Sequence, residues 1–162
     1  PDMAPPRPAV DERTSPSQPT AHGWEGAHAS PIRVLLVDDH AMVRQGLRSV
    51  LEGYADLDII AEAADGEEAV NLAVLLKPDL VVMDVNLPRL DGIEATKRIK
   101  AAQPAVIVIG LSINNSAPVV EAMKQAGAAA FVSKDTAGEQ LYDTITNLLS
   151  RKRTRFIESQ AA

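Results

Sequence analysis

The sequence predicts an α/β fold: a doubly wound parallel sheet of five strands in the order 2-1-3-4-5. Three observations carry this. From Ile32 onward, strand-like and helix-like segments alternate five times, the pattern of successive βαβ units. The first, third and fourth strand-like runs are almost wholly apolar, as strands covered by helices on both faces are. The second run admits two charges and the fifth is short, which suits the two edges of the sheet. Right-handed crossovers make the order feasible, and it reverses between strands one and three.

Strand one, Val34-Leu35-Leu36-Val37, leads into a helix over about residues 40–52, with Val43, Leu47, Val50 and Leu51 on one face. Strand two is Leu57-Asp58-Ile59-Ile60-Ala61-Glu62. The second helix covers about 66–76 with Ala69, Leu72, Ala73 and Leu76 inward; Asp65 caps it and Glu68 stands three residues on. Strand three, Leu80-Val81-Val82-Met83, precedes a helix that starts after Asp91, with Glu94 in the same relation. Strand four is Val106-Ile107-Val108-Ile109-Gly110-Leu111. Its helix starts near Asn115 or Ser116, with Pro118 in the first turn. Strand five, Ala129-Ala130-Phe131-Val132-Ser133, is followed by a helix opening on Thr136 and Glu139, a capping-box spacing, and burying Leu141, Ile145 and Leu148.

The chain has 162 residues, enough for one ordinary domain. Its net charge of −6 argues against a nucleic-acid surface spread over the fold. With no cysteine there is neither a disulfide framework nor a cysteine zinc site. No run approaches the about 18 apolar residues of a membrane span, and no basic-then-apolar leader opens the chain. A cytoplasmic module is the expectation. Residues 1–31 hold seven of the eleven prolines and almost no aliphatic periodicity, the composition of a linker or disordered arm. Trp24, the single tryptophan, lies in it, either loosely packed or as an anchor for a partner. The chain begins with Pro1 rather than methionine: either it is part of a longer protein, or Pro1-Asp2 precede a natural start at Met3. Residues 151–162 are expected as a basic tail. The Arg151-Lys152-Arg153-Thr154-Arg155 cluster reads as solvated cations complementing a helix C-terminus, with nucleic acid or a protein partner as its other readings.

Four polar positions end the apolar runs: Asp38-Asp39, Asp84, Ser112 and Lys134. In an open parallel sheet, ligands bind beyond the carboxyl ends of the strands near the point where strand order reverses. Three carboxylates, a hydroxyl and an ammonium are therefore expected in one cleft. Each has a plainer reading alone: a helix-capping aspartate, a serine bonded to its own backbone, a solvated lysine. Together they can bind a hard divalent cation through oxygen, use a carboxylate as nucleophile and hold a phosphoryl group.

At Val37-Asp38-Asp39-His40, at Asp84 with Leu87-Pro88 and Asp91-Gly92 behind it, at Ser112 and at Lys134, the chain resembles the receiver domains of bacterial two-component response regulators. The resemblance covers about residues 31–150. The stretch from His40 to Leu47 looks most like the branch usually coupled to a helix-turn-helix output domain. It implies a flavodoxin-like (βα)5 fold over 32–150 and a phosphoacceptor switch. By resemblance, Asp84 takes the phosphoryl group from a histidine kinase or phosphotransfer protein. Asp39, Asp84 and the Asn86 carbonyl would hold Mg2+ directly and Asp38 through water. Ser112 and Lys134 would contact the phosphoryl group, and Phe131 would be a rotating aromatic that reports activation, against a plain core role. A homodimer through strand four, helix four, strand five and helix five is the implied association, with no nucleic acid bound by this domain.

Two features depart from the family pattern. Asp135 follows Lys134 where proline is frequent, and a cis peptide there would cost roughly 2.5–4 kcal/mol. Only 28 residues follow Lys134, too few for a DNA-binding domain, so a receiver attached to a sensor kinase, a stand-alone receiver and a truncated transcription factor are the contexts. The rival reading is a metal-dependent phosphohydrolase with an aspartate nucleophile. The haloacid-dehalogenase type carries a second acid two residues on, where Asn86 stands here. A flavodoxin-like nucleotide binder is the third, but Asp38-Asp39-His40 occupies the place of a glycine-rich phosphate loop.

Overall fold

The computed structural model describes residues 30–113 and 115–161. The arm, with Trp24, lies outside the described residues except for its last two positions. The elements are β1 (Ile32–Val37), α1 (Ala41–Glu52), β2 (Leu57–Ala63), α2 (Gly66–Leu76), β3 (Leu80–Asp84), α3 (Gly92–Ala102), β4 (Ile107–Ser112), α4 (Ala117–Ala126), β5 (Ala130–Ser133) and α5 (Ala137–Ala161). All strand pairs are parallel and the sheet order is β2-β1-β3-β4-β5.

Alternation along the strands splits the core in two. Val34, Leu36, Leu80, Val82, Ile107 and Ile109 face α1 and α5, where Leu47, Leu51, Leu141 and Ile145 meet them. Leu35, Val37, Val81, Met83 and Val108 face the other way, against Ala69 and Ala73 of α2, Ala95 and Ile99 of α3, and Met123 of α4. Both faces of the central strands are thus covered, which is why their sequences are continuous apolar runs.

The caps form where the spacing predicts them on two helices. The Asp65 side chain accepts from Glu68 N–H at 2.8 Å, and Asp91 from Glu94 N–H at 2.8 Å. The box expected on α5 does not form. The Thr136 N–H is already donated to the Ser133 carbonyl at 3.2 Å, so it has nothing to offer Glu139, and the Thr136 hydroxyl meets Gln140 Oε1 at 3.0 Å.

α5 also runs past the expected end near residue 150. No glycine or proline occurs after Gly138 to stop it. The basic cluster therefore lies within a helix, not in a tail, and the last turn carries no base, so the dipole-complementing reading does not hold. No cis peptide occurs among the described residues, and Lys134–Asp135 is trans. No helix among them is long and apolar enough to cross a membrane.

Candidate phosphoacceptor site

Strand register assembles the site as a staircase. Val37 pairs with Met83, so Asp38 and Asp84 stand level at the ends of β1 and β3. Asp84 pairs with Leu111, which sets Ser112 one step further along. Ser112 pairs with Ser133, which sets Lys134 a step beyond that, with its N–H on the Ser112 carbonyl at 3.0 Å. From there the long lysine side chain reaches back over two strands.

Gly92 allows the end of β3 to sit where it does. A Cβ there would lie 2.0 Å from the Asp84 carbonyl oxygen, and the Gly92 N–H instead donates to the Val85 carbonyl at 2.8 Å. The first turn of α3 is thereby pressed against the peptide that carries Asp84.

Asp38, Asp84 and Ser112 are buried and Lys134 is 8% exposed, whereas Asp39 and Asn86 are exposed. Lys134 Nζ donates to Asp84 Oδ2 at 2.9 Å and sits 2.8 Å from Asp38 Oδ2. Asp38 Oδ2 is buried, and among the described residues the Lys134 ammonium is the one group paired with it. Asp84 Oδ1 accepts from the Asn86 N–H at 3.2 Å. Asp38 Oδ1 accepts from the His40 N–H at 2.8 Å, and His40 Nδ1 lies 3.1 Å from both Asp38 Oδ1 and Asp39 Oδ1.

The charges do not balance. Burial pushes the Asp84 carboxyl up, and Lys134 only partly offsets that; the neighbouring Asp38 charge adds to the rise. Burial by itself would lower the Lys134 ammonium, and the two carboxylates reverse this, so it ends raised and firmly charged. One ammonium thus faces three carboxylates. Asp38, Asp39, His40 and Asp84 each bring one ligand atom to within 4.8 Å of the others. The three carboxylates of that group bring oxygen ligands with an excess of negative charge over the one ammonium, which fits a hard divalent cation.

The structure brings together Asp38, Asp84 and Lys134 by direct contact, and Ser112 and Asn86 by register and backbone. Phe131 stands apart from the charges. It is partly buried on the α2–α4 side of the sheet, paired with Gly110 of β4. Sequence reasoning missed Arg44, whose Nη1 donates to the Asp38 carbonyl. Its place one helical turn after Asp39-His40 was the available signal.

Known proteins share this architecture. The model of the response regulator receiver domain matches residues 34–146. The chain is similar to the transcriptional regulatory protein LiaR of Bacillus subtilis, at 44% identity over 118 residues, covering 70% of this chain and 54% of the relative. It is 43% identical over 127 residues to the transcriptional regulatory protein PdtaR of Mycobacterium tuberculosis, covering 77% and 60%. A solved LuxR-family response regulator from Aurantimonas superposes with a TM-score of 0.71 at 36% identity, covering 75% of this chain and 86% of that one. The chain spans little more than half the length of such curated relatives.

Proposed function

This chain belongs to the response regulator receiver family, and on that premise we propose that Asp84 is the phosphoacceptor of a two-component phosphorelay. The observation that carries the assignment is the Asp84 carboxylate itself: buried at the switch point, level with Asp38, and held by Lys134 Nζ at 2.9 Å. A carboxylate oxygen of Asp84 attacks the phosphorus of a phosphohistidine on a histidine kinase or phosphotransfer protein. The P–N bond breaks and the imidazole leaves. Water later attacks the acyl phosphate, releasing orthophosphate and restoring the carboxylate.

Phosphoryl transfer asks for positioning and charge neutralisation more than for covalent help. Lys134 supplies a fixed cation beside the incoming phosphoryl oxygens. The buried Ser112, one step along the cleft, supplies a hydroxyl to the same group. Mg2+ held by Asp39, Asp84 and the Asn86 carbonyl, with Asp38 acting through water, would neutralise the remaining phosphoryl charge. Asn86 offers no acid for a leaving group, so the domain is a switch with slow self-catalysed loss of phosphate rather than a phosphohydrolase. Its output would be carried by the β4-α4-β5-α5 face, by a homodimer through that face or by a further domain.

The test is labelling of the full chain with a small phosphodonor such as acetyl phosphate plus Mg2+. One hydroxylamine-sensitive phosphoryl group per chain is expected, and none in Asp84→Asn. Undiminished labelling of that variant would remove Asp84 from the role, and sustained multiple turnover would favour the hydrolase.

A further inference from the structure

The acidic turn is gripped from behind. Arg44, in α1, reaches back so that Nη1 donates to the Asp38 backbone carbonyl. Its Nε donates to Glu62 Oε1 of β2 at 3.3 Å. The other Glu62 oxygen, Oε2, accepts from Arg48 Nη1 at 2.7 Å, and Arg48 Nε donates to Glu52 Oε1 at 2.7 Å. The Arg44 side chain is 19% exposed, against 37% for Arg48.

The consequence is geometric. The Asp38 N–H donates to the Ala63 carbonyl of β2 at 3.1 Å, and the Asp38 carbonyl is held by Arg44, so the peptides on both sides of Asp38 are fixed. The Asp38 carbonyl and the Asp39 N–H share one peptide plane. Holding that oxygen therefore sets the plane from which the Asp39 side chain departs. Glu62 fixes Arg44 in turn, because a guanidinium can serve two acceptors in one plane where an ammonium is only a point charge.

We propose that Arg44, seated on Glu62, is a positioning residue for the Asp38-Asp39 acid pair and sets the affinity with which that pair binds a divalent cation. This rests on reading the pair as a cation site. Partners that orient metal ligands from outside typically contribute roughly 10–100-fold to metal affinity.

The experiment titrates magnesium alone into the full chain, reading calorimetry and the Asp39 amide resonance. Arg44→Gln should weaken magnesium binding roughly tenfold or more, and should shift the Asp39 amide even before metal is added. Arg48→Gln removes the exposed pair to Glu52 and the half-buried pair to Glu62 without touching the Asp38 carbonyl, and should leave both readings near wild type. Arg44→Lys should fall between, and carries the same comparison if the glutamine variant does not fold. Wild-type affinity in the Arg44 variants, or an equal loss in Arg48→Gln, overturns the proposal. A wild-type chain that binds no magnesium and is indifferent to Asp39→Ala overturns the cation-site reading itself.

Discussion

Lys134 and Asp84 lie fifty residues apart in sequence and 2.9 Å apart in space, and the same ammonium stands 2.8 Å from Asp38. One buried cation thus holds together the ends of β1, β3 and β5.

Removing it should be costly. Lys134→Met leaves two buried carboxylates facing each other, and breaking a buried pair from one side typically costs roughly 3–5 kcal/mol. The loss should be largest in metal-free buffer and shrink when Mg2+ is added, because a divalent cation replaces the missing charge. Urea unfolding with and without Mg2+ measures this. A variant as stable as wild type without metal would mean that the pairing only balances its own desolvation.

Asp84 carries the opposite sign. Its folded pKa is raised, chiefly by burial, so the fold favours the protonated form. That contribution is present below the unfolded pKa of 3.8 and is lost as pH rises through the folded value. At neutral pH the ionised carboxylate is a burden. Asp84→Asn should therefore raise the melting temperature at pH 7 in metal-free buffer, with the gain fading as pH falls toward 3.8. Melting curves across that range decide it; a lower melting temperature for the variant at pH 7 would show that its bond to Lys134 outweighs burial.

The two variants bear on what the sequence made legible. Asp38, Asp39, Asp84, Ser112 and Lys134 were readable because each ends a buried apolar run, and in a parallel sheet all such ends open on one side. The strand order was readable because edge strands tolerate Asp58 and Glu62 where central strands do not. What linked these residues was not readable. The Arg44–Glu62 seat depends on how β2 lies beside β1, and that register shifts between Val34 and Leu35, a detail no period reveals. The end of α5 is not legible in the same way, because a change to charged composition suggests a tail, although no glycine or proline there breaks the helix. Gly110 passed as one more member of an apolar run until pairing set it opposite Phe131.

Magnesium binding should depend on Asp39 more than on Asp38. Asp38 is buried, with Oδ1 taken by the His40 N–H at 2.8 Å, while Asp39 is exposed and among the described residues meets only the His40 ring, at 3.1 Å. The freer carboxylate is the better direct ligand. Titrating Mg2+ into Asp38→Ala and Asp39→Ala tests the ranking, with stability followed separately, since Asp38→Ala also deprives Lys134 of a partner. Equal losses of affinity, or a larger loss in Asp38→Ala, would contradict it.

The last prediction concerns how a change at Asp84 reaches the surface. A modification shifts a two-state equilibrium only through contacts that differ between the states. Phosphoryl oxygens are present for Ser112 and Lys134 to contact only in the modified form, and both residues lie on β4 or just after β5. Between them and α4 stands Phe131, whose ring is seated against Gly110: a Cβ at that position would lie 2.7 Å from Phe131 Cδ2 and 3.0 Å from Met123 Cε of α4. The missing side chain is what lets ring, strand and helix pack together. In the wild-type chain, beryllofluoride with Mg2+ should bury the Phe131 ring further and shift amides along β4, α4 and β5. Gly110→Ala should cost about 1–3 kcal/mol by overpacking and push the ring outward. The beryllofluoride response should then stop at Ser112 and Lys134 and leave the α4 amides unmoved. Amide shift maps of the two proteins provide the comparison. If α4 responds equally in both, or if the wild-type changes fall on α2 and α3 while Phe131 stays still, the signal does not travel through this seat.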